Sequence, residues 1–152
     1  MSLELHVWDT DAVIEAMKNA RMKQRFTQDF ILGTIAITAA SVLELAVWSA
    51  EDPDVARFYD GMHRSGNVLI PKKRDFYRAG RWLRSLRTAG TAEERRYQRL
   101  KLTMDSLTAA TAWGAGMVVV TKNRRDFDRL AAEARGMLPA GHPEPKHIRP
   151  TR

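Results

Sequence analysis

A run of four apolar residues at 117–120 constrains the fold more than any other stretch of this 152-residue chain. Small residues fill the segment before it, and a polar turn at 121–126 follows directly. An apolar run without alternation is typical of a strand buried on both faces, as in a parallel sheet. Small side chains before it allow a helix to lie close on that sheet. The stretch therefore predicts a helix, a buried strand and a second helix in succession.

Three further short and mainly apolar runs, at 5–8, 34–38 and 68–71, are also predicted to be strands. Helical spacing of apolar residues separates them. Strands that alternate with helices predict an α/β fold with a parallel sheet and right-handed crossovers. The tail from 139 to 152 is predicted to be mostly irregular, with a short edge strand at 146–149.

Two basic helices are predicted between the third strand and the run at 117–120. The first covers 72–87, and its apolar spacing predicts that Phe76, Ala79, Leu83 and Leu86 face inward. The second covers 91–102, with contacts to the rest of the chain through Tyr97 and Leu100.

Length and composition restrict the class of protein. A chain of 152 residues is expected to form one domain, residues 1–152, with a single sizeable core. The absence of cysteine excludes disulfides and thiolate metal sites. No apolar run could span a bilayer and the first residues do not resemble a signal peptide, so a cytoplasmic protein without a membrane partner is predicted. The net charge of +7 favours polyanionic partners, although it is weak evidence alone.

Four acidic residues are predicted to meet at one edge of the sheet. Asp9 and Asp126 follow the exits of the first strand and of the run at 117–120, and Glu44 lies early in the helix that leaves the second strand. Asp105 begins a helix that runs antiparallel to the next strand, which brings it to the same edge. Open α/β sheets place their sites outside the carboxyl ends of the strands.

Neighbouring carboxylates repel each other, and a hard divalent cation relieves this repulsion. Mg²⁺ and Mn²⁺ prefer oxygen ligands, and a cation held this way can acidify a water and neutralise a phosphodiester oxygen. The sequence offers no cysteine and no paired histidines, so zinc is not expected.

Helix capping is the alternative explanation for each acidic residue taken singly. Ser41 and Glu44 fit a capping box, and Asn123 could cap a helix whose first turn holds Asp126. Asp9 could likewise cap the first helix, and Asp105 could start a helix after a break at Thr103. Capping does not explain why all four residues fall at one predicted edge.

Four motifs together resemble those of the PIN domain. They are residues 7–11 (VWDTD), 40–45 (ASVLEL), 102–112 (LTMDSLTAATA) and 120–127 (VTKNRRDF). Their order and spacing match over nearly the whole chain, and the fourth is the most specific. The size and tail are similar to those of the toxin component of VapBC-type toxin–antitoxin pairs.

The resemblance implies a three-layer fold, with a parallel sheet of order 3-2-1-4-5 and helices on both faces. It implies a Mg²⁺- or Mn²⁺-dependent endoribonuclease in which a metal-activated water attacks the RNA phosphodiester. Asp9, Glu44 and Asp105 would hold the principal metal, and Asp126 would assist it or hold a second one. It also implies supporting roles for three polar residues, Thr10, Thr121 and Asn123. Homodimers and inhibition by a cognate antitoxin are usual in this family.

One residue departs from the family pattern, because Asp11 stands where PIN domains usually have asparagine. It would add a ligand, increase the repulsion, or point away and cap the first helix, which is the interpretation favoured here. Basic residues could also follow an RNA backbone or simply face solvent; the candidates are Arg124, Arg125, Lys72, Arg78 and Arg81. Trp82, among arginines, is expected to pack into the core or an interface rather than stack on a base.

Two other functions fit the same residues. The chain could be a catalytically silent PIN-like module that binds RNA or a partner protein. It could also be a nuclease that acts on structured DNA. Motifs do not distinguish the RNA target, because specificity lies in loops and surface side chains.

Overall fold

The structure of this chain, a computed structural model, describes residues 4–137 and 143–148. Its strands are β1 (His6–Trp8), β2 (Ile35–Thr38), β3 (Val68–Leu69), β4 (Val118–Val120) and β5 (His147–Ile148). They form one parallel sheet in the order β3-β2-β1-β4-β5, which confirms the predicted α/β fold and strand order. The predicted edge strand at 146–149 corresponds to β5, and residue 149 lies outside the described residues.

Eight helices connect the strands within the described residues. They are α1 (Thr10–Lys18), α2 (Ala20–Ile31), α3 (Ala39–Ser49), α4 (Pro53–Met62), α5 (Lys73–Ser85), α6 (Ala92–Leu100), α7 (Thr103–Gly114) and α8 (Arg124–Arg135). Several begin at a polar side chain that accepts a hydrogen bond from the first turn, as at Asn19, Asp52 and Thr91. None of the helices in the described part of the chain is both long and apolar enough to cross a membrane.

Two hydrophobic cores make the fold three-layered. On one face of the sheet, α5, α7 and α8 bury a core that includes Trp82, Trp113 and Phe127. The other core includes Phe26 and Leu45, together with other side chains from the first four helices and β2. Because both faces are covered, the interior strand β4 is fully buried, whereas the edge strands β3 and β5 are only partly buried. The carboxyl ends of these parallel strands open onto a single edge.

Small residues bring α7 close to its neighbours, as the sequence predicts. Ala109, Ala110 and Ala112 are fully buried. The Ser106 hydroxyl donates a 3.0 Å hydrogen bond to the carbonyl oxygen of Ala79 in α5. This close packing sets where the first turn of α7 lies relative to the sheet.

The predicted inward faces of α5 and α6 are partly wrong. Phe76 is 57% exposed, because the buried side of α5 runs through Asp75, Ala79 and Trp82 instead. On α6 no residue is buried, and Tyr97 and Leu100 are 64% and 63% exposed. Phe76 and Tyr97 therefore do not mark the packed sides of these highly charged helices, whereas Trp82 does mark that of α5.

The start of α3 also differs from the predicted one. Thr38, not Ser41, is the N-cap, and its hydroxyl accepts a hydrogen bond from the Ser41 backbone N–H at 3.3 Å. Ser41 lies inside the first turn and is fully buried. The capping-box explanation for Glu44 is therefore wrong, and its carboxylate is free to take part in other contacts.

Candidate functional site

Asp9 lies at the centre of the polar edge, directly after β1. Its backbone N–H donates to the Val120 carbonyl at 2.9 Å, which extends the pairing of β1 with β4. One carboxylate oxygen caps α1 by accepting from the Thr10 N–H at 2.8 Å, and the other accepts from the Thr121 hydroxyl at 3.0 Å. Asp9 is only 3% exposed, so these two donors replace most of its hydration. Capping and membership of the acidic cluster are thus compatible for this residue.

Glu44 joins the same edge through Thr10. The Thr10 hydroxyl donates a 2.9 Å hydrogen bond to Glu44 Oε1, so α1 and α3 are linked at the carboxylate. Glu44 is half-buried and lies in the second turn of α3. Thr10 therefore contacts both Asp9, through its N–H, and Glu44, through its hydroxyl.

Asn123 connects the remaining two carboxylates. Its amide nitrogen donates to Asp126 Oδ2 at 2.8 Å and, more weakly, to Asp105 Oδ2 at 3.4 Å. The Asn123 backbone N–H in turn donates to the Thr121 hydroxyl at 3.0 Å. Thr121 thus joins this pair to Asp9, and the network includes all four predicted acidic residues and all three predicted supporting residues.

A buried hydroxyl cluster, which the sequence does not predict, holds α7 against β2 and α3. The hydroxyls of Thr38 and Thr108 are 3.1 Å apart, and Ser41 lies beside them at 3.5 Å from Thr38. All three residues are fully buried. The cluster fixes the helices that carry Glu44 and Asp105 relative to each other. Its only sequence signal is Thr38, a hydroxyl residue where a strand becomes a helix.

A second contact that the sequence does not reveal ties the loop after β4 to α1. Asp11 Oδ1 accepts from the Lys122 backbone N–H at 3.3 Å, and Lys122 Nζ lies 3.0 Å from Glu15 Oε2. The favoured prediction that Asp11 caps the first helix is wrong, since Asp9 occupies the cap position. Asp11 instead contacts the loop that carries Thr121 and Asn123.

Burial and mutual repulsion raise the pKa values of three carboxyl groups. Burial, followed by the charges of Asp105 and Asp11, raises the pKa of Asp9 well above its ordinary value. Burial, followed by the charges of Glu44, Asp11 and Asp126, raises the pKa of Asp105 to about 7. Burial also raises the pKa of Glu44, against the opposing hydrogen bond from Thr10. The edge is thus a store of electrostatic repulsion that a cation would relieve.

The donor chemistry of this edge fits a hard divalent cation, because its ligands are all oxygen atoms. Among the described residues, the cationic group that forms an ion pair with one of the four carboxylates is Arg129, whose Nη1 is 3.7 Å from Asp126 Oδ1. Across residues 4–137 and 143–148, no three histidine or acidic side chains already stand at the spacing of an ion site. A cation held at this edge would relieve the repulsion among its carboxylates.

The predicted basic residues occupy different parts of the surface. Arg124 and Arg125 are exposed at the start of α8, directly after Asn123, and so lie next to the carboxylates. Arg81 is exposed on α5. A Cβ placed on Gly114 would lie 3.2 Å from the guanidinium of Arg78, which is thus at the far end of α7 from Asp105.

Lys72 lies three residues before Asp75, which also contacts this far end of α7. The structure therefore does not bring Lys72 or Arg78 to the acidic edge. Trp82 is fully buried in the core, as the sequence predicts, and presents no surface for base stacking.

No protein-family model and no curated protein matches this sequence. The fold is nevertheless similar to that of chains in several solved complexes. VapBC from Salmonella typhimurium, solved bound to DNA, contains a chain with 20% identity and a TM-score of 0.60, covering 96% of this chain and 98% of that chain. VapBC2 from Rickettsia felis, bound to a promoter DNA fragment, gives 14% identity and a TM-score of 0.58, covering 97% and 99%.

FitAcB from Neisseria gonorrhoeae contains a third similar chain, with 17% identity and a TM-score of 0.55, covering 83% of this chain and 93% of that chain. Identities this low establish a shared fold and not a shared activity. The likeness extends over most of each chain and agrees with the parallel strand order 3-2-1-4-5. The chain therefore has the PIN-like fold that its four motifs predict.

Proposed function

We propose that this chain is a Mg²⁺- or Mn²⁺-dependent endoribonuclease, the toxin of a toxin–antitoxin pair. The observation that carries the proposal is the meeting of Asp9, Glu44, Asp105 and Asp126 in one hydrogen-bonded network at the carboxyl edge of the sheet. Burying mutually repelling carboxylates costs stability, and such a cost is typical of functional sites. Neutral side chains would fill a purely structural role at a smaller cost in stability.

Each residue of the network has a role in this proposal. Asp9, Glu44 and Asp105 hold the principal metal, and Asp126 assists it or holds a second ion. When bound, the metal supplies a water of lowered pKa and neutralises charge on the phosphodiester. Thr10 and Thr121 orient the carboxylates of Glu44 and Asp9 through their hydroxyls.

Asn123 separates Asp105 from Asp126 and gives both a hydrogen-bond donor while they are charged. Arg124 and Arg125, exposed beside the network, bind phosphates of the RNA on either side of the bond that is cut. Lys72, Arg78 and Arg81 are peripheral contacts in this proposal, because Lys72 and Arg78 lie towards the far end of α7.

A cognate antitoxin and a second copy of the chain are the proposed protein partners. The similar solved chains belong to VapBC and FitAB complexes, which are two-component assemblies. Apolar surface for such contacts is present in the described residues. Leu43, Val47 and Trp48 are exposed on α3, and a cleft of about 540 Å³ lies against Phe30 and Phe58.

Cleavage of RNA by the purified protein tests the proposal. A mixed RNA pool and a matched DNA pool are incubated with Mg²⁺, Mn²⁺ or EDTA. Asp105→Asn should abolish metal-dependent RNA cleavage. Asp60→Asn is the matched control, since Asp60 is exposed on α4 and has no ion pair among the described residues.

Three outcomes would contradict the proposal. Cleavage that persists in EDTA or in Asp105→Asn removes the metal–carboxylate mechanism. Metal-dependent RNA binding without cleavage favours a silent module, and cleavage of DNA alone favours a structured-DNA nuclease. Light scattering on the isolated chain tests the homodimer separately, because a monomeric mass would contradict it.

A further inference from the structure

An arginine-lined pocket lies between α5, α6 and the start of α7, outside the acidic network. Its volume is about 340 Å³. The lining residues are Leu83, Ala92, Arg95, Arg96, Arg99, Leu100 and Thr103. Three of them are arginines and none is acidic, so the pocket is a local concentration of positive charge.

Neutral carbonyl groups hold two of these arginines in place. Arg99 donates from Nε to the Leu83 carbonyl at 3.0 Å and from Nη2 to the Leu86 carbonyl at 3.3 Å. Arg95 donates from Nη1 to the Gly90 carbonyl at 2.6 Å. Carbonyl oxygens orient a guanidinium group without cancelling its charge, so both side chains are positioned and remain fully cationic.

No carboxylate forms an ion pair with the three arginines of this pocket within the part of the chain that the structure describes. The ion pairs of the described residues involve other cations, and none joins an acidic group to Arg95, Arg96 or Arg99 within 4.0 Å. By contrast, Arg57 on α4 is paired with Asp54. The unpaired charge of the pocket is therefore available to an external anion.

The pocket adjoins the acidic network through α7. Thr103 lines the pocket and is the first residue of α7, and Asp105 lies in the same turn. The two positions differ by about 3 Å along the helix axis and by roughly 200° around it, so the pocket and Asp105 lie on different sides of the same end of α7. A nucleic-acid strand carries one charge per nucleotide, at roughly 3.4 Å of rise in a duplex. A strand bound at Asp105 that passes around this end of α7, across a helix about 10–12 Å wide, thus reaches the pocket within a few nucleotides.

We propose that this pocket binds a backbone phosphate of the RNA strand, a few nucleotides from the bond that is cut. The inference rests on the proposed ribonuclease function, and it assigns α6 a role in substrate binding. An RNA strand is favoured over an acidic peptide because its evenly spaced phosphates can occupy this pocket and the edge beside Asp105 together. Arg95 and Arg96 are exposed and make the external contact, while Arg99 supplies a fixed charge beneath them.

Charge reversal at Arg96 is the first test. Arg96 is exposed and its side chain makes no hydrogen bond or ion pair among the described residues, so Arg96→Glu should fold normally. Arg64→Glu is the matched control, because Arg64 is equally exposed but lies before the start of β3, at the opposite edge of the sheet. Fluorescence anisotropy with a labelled single-stranded RNA of mixed sequence is measured in EDTA, which prevents metal-dependent cleavage. Arg96→Glu should weaken binding about five- to tenfold, and Arg64→Glu should match the wild type.

Salt dependence is the second readout, because a phosphate contact releases counterions. The slope of log affinity against log salt concentration should fall by about 0.7 for each phosphate of a single strand that the protein no longer neutralises. The double variant Arg95→Gln/Arg96→Gln should lower the slope by about 0.7 for each phosphate contact that is lost. The double variant Arg64→Gln/Arg135→Gln should leave the slope unchanged. In cleavage assays with Mg²⁺, the pocket variant should raise KM and leave kcat within about twofold, as expected when only uniform binding is weakened.

Different outcomes test RNA binding by the pocket and the proposed ribonuclease function. Equal RNA affinities for Arg96→Glu and Arg64→Glu overturn the pocket, even if the wild type cleaves RNA. A wild type that cleaves no RNA overturns the function, yet a selective loss of RNA binding in Arg96→Glu would still support the pocket. If Arg96→Glu instead loses binding of poly-glutamate and keeps binding of RNA, the pocket serves an acidic protein and the RNA assignment is wrong.

Discussion

The acidic edge and the arginine pocket are neighbours built on opposite principles. The acidic edge gathers side chains from four separate elements, partly buries them and holds them together with donated hydrogen bonds. The pocket takes its three arginines from one short exposed helix. Assembling like charges in a buried place costs stability, whereas leaving them on a solvated helix costs little. The comparison teaches that the buried charges are the costly ones, which is why the proposed function assigns the reaction to them and only substrate binding to the exposed arginines.

Removing the charge of Asp9, the most buried of the four carboxylates, should have the largest effect on RNA cleavage and on stability. Asp9→Asn keeps the N-cap oxygen but removes the charge, and RNA cleavage should fall by about 10³-fold or more. The same change should stabilise the metal-free fold by about 1–2 kcal/mol, because it relieves repulsion at a residue that is 3% exposed. Single-turnover cleavage and thermal unfolding in EDTA measure the two effects.

Opposite signs for activity and stability are the diagnostic feature of Asp9→Asn. Asp60→Asn, at an exposed position, should change neither quantity. If Asp9→Asn loses stability together with activity, Asp9 has a structural role. The charge of Asp9 would then not be the costly buried charge that distinguishes the acidic edge from the exposed arginines.

Acidity should stabilise the metal-free protein, which is the reverse of the usual effect of paired carboxylates. Asp105 has an ordinary pKa of 3.8 and a pKa of about 7 in the metal-free fold. Between these values the folded state binds more protons than the unfolded state, so the free energy of unfolding falls as pH rises. This contribution is fully present below pH 4 and lost above pH 7, with an upper bound of about 4 kcal/mol. Urea unfolding in EDTA across this range measures it.

Saturating metal should offset the loss of stability as the pH rises from 4 to 7, since the cation favours the ionised carboxylates. Asp105→Asn in EDTA should flatten the curve, although Asp9 and Glu44 add a slope of the same sign. Asp54, whose pKa is lowered by hydrogen bonds from Arg57 and Lys23, gives a slope of the opposite sign. The deciding comparison is therefore with the variant, and equal slopes for the wild type and Asp105→Asn would contradict the stored repulsion.

The buried hydroxyl cluster offers a subtler test, because it positions the acidic helices without carrying charge. Thr108→Val removes the hydroxyl beside Thr38 and should cost about 1–3 kcal/mol of stability. It should also lower kcat several-fold by loosening Asp105 relative to Glu44. Thr111→Val is the matched control, because its hydroxyl only bonds the Leu107 carbonyl within α7.

The positioning role would be established if both variants lose a similar amount of stability and only Thr108→Val lowers kcat. Equal kcat values for the two variants would show that the cluster contributes to packing only.

The acidic edge was predictable from sequence because it depends on chain direction. Once the apolar runs are parallel strands, Asp9 and Asp126 must lie at the carboxyl edge, and so must the start of the helix before β4. The hydroxyl cluster was not predictable in this way. Thr38 and Thr108 are distant in the chain, and their contact depends on the exact packing of α7 on β2.

The least predictable feature was which side chains of α5 and α6 face the core. Apolarity favoured Phe76 for the buried side of α5, yet the charged Asp75 is buried because its carboxylate accepts from the Lys72 backbone N–H at 2.8 Å. A local hydrogen bond thus compensates a residue type that periodicity assigns to the surface. The pocket on α6 was similarly hidden, since a run of arginines shows charge but not which of them lack acidic partners.

The smallest expected effect concerns Asp11, which decides where the acidic edge ends. Asp11→Asn keeps the oxygen that accepts from the Lys122 N–H, so cleavage should stay within about threefold of the wild type if Asp11 is not a ligand. Asp11→Ala removes that oxygen and should reduce cleavage further by releasing the loop that carries Thr121 and Asn123. A loss in Asp11→Asn as large as that in Asp105→Asn would instead make Asp11 a fifth ligand. The number of bound Mn²⁺ ions per chain, measured by calorimetry on both variants, separates the two cases because only loss of a ligand should change it.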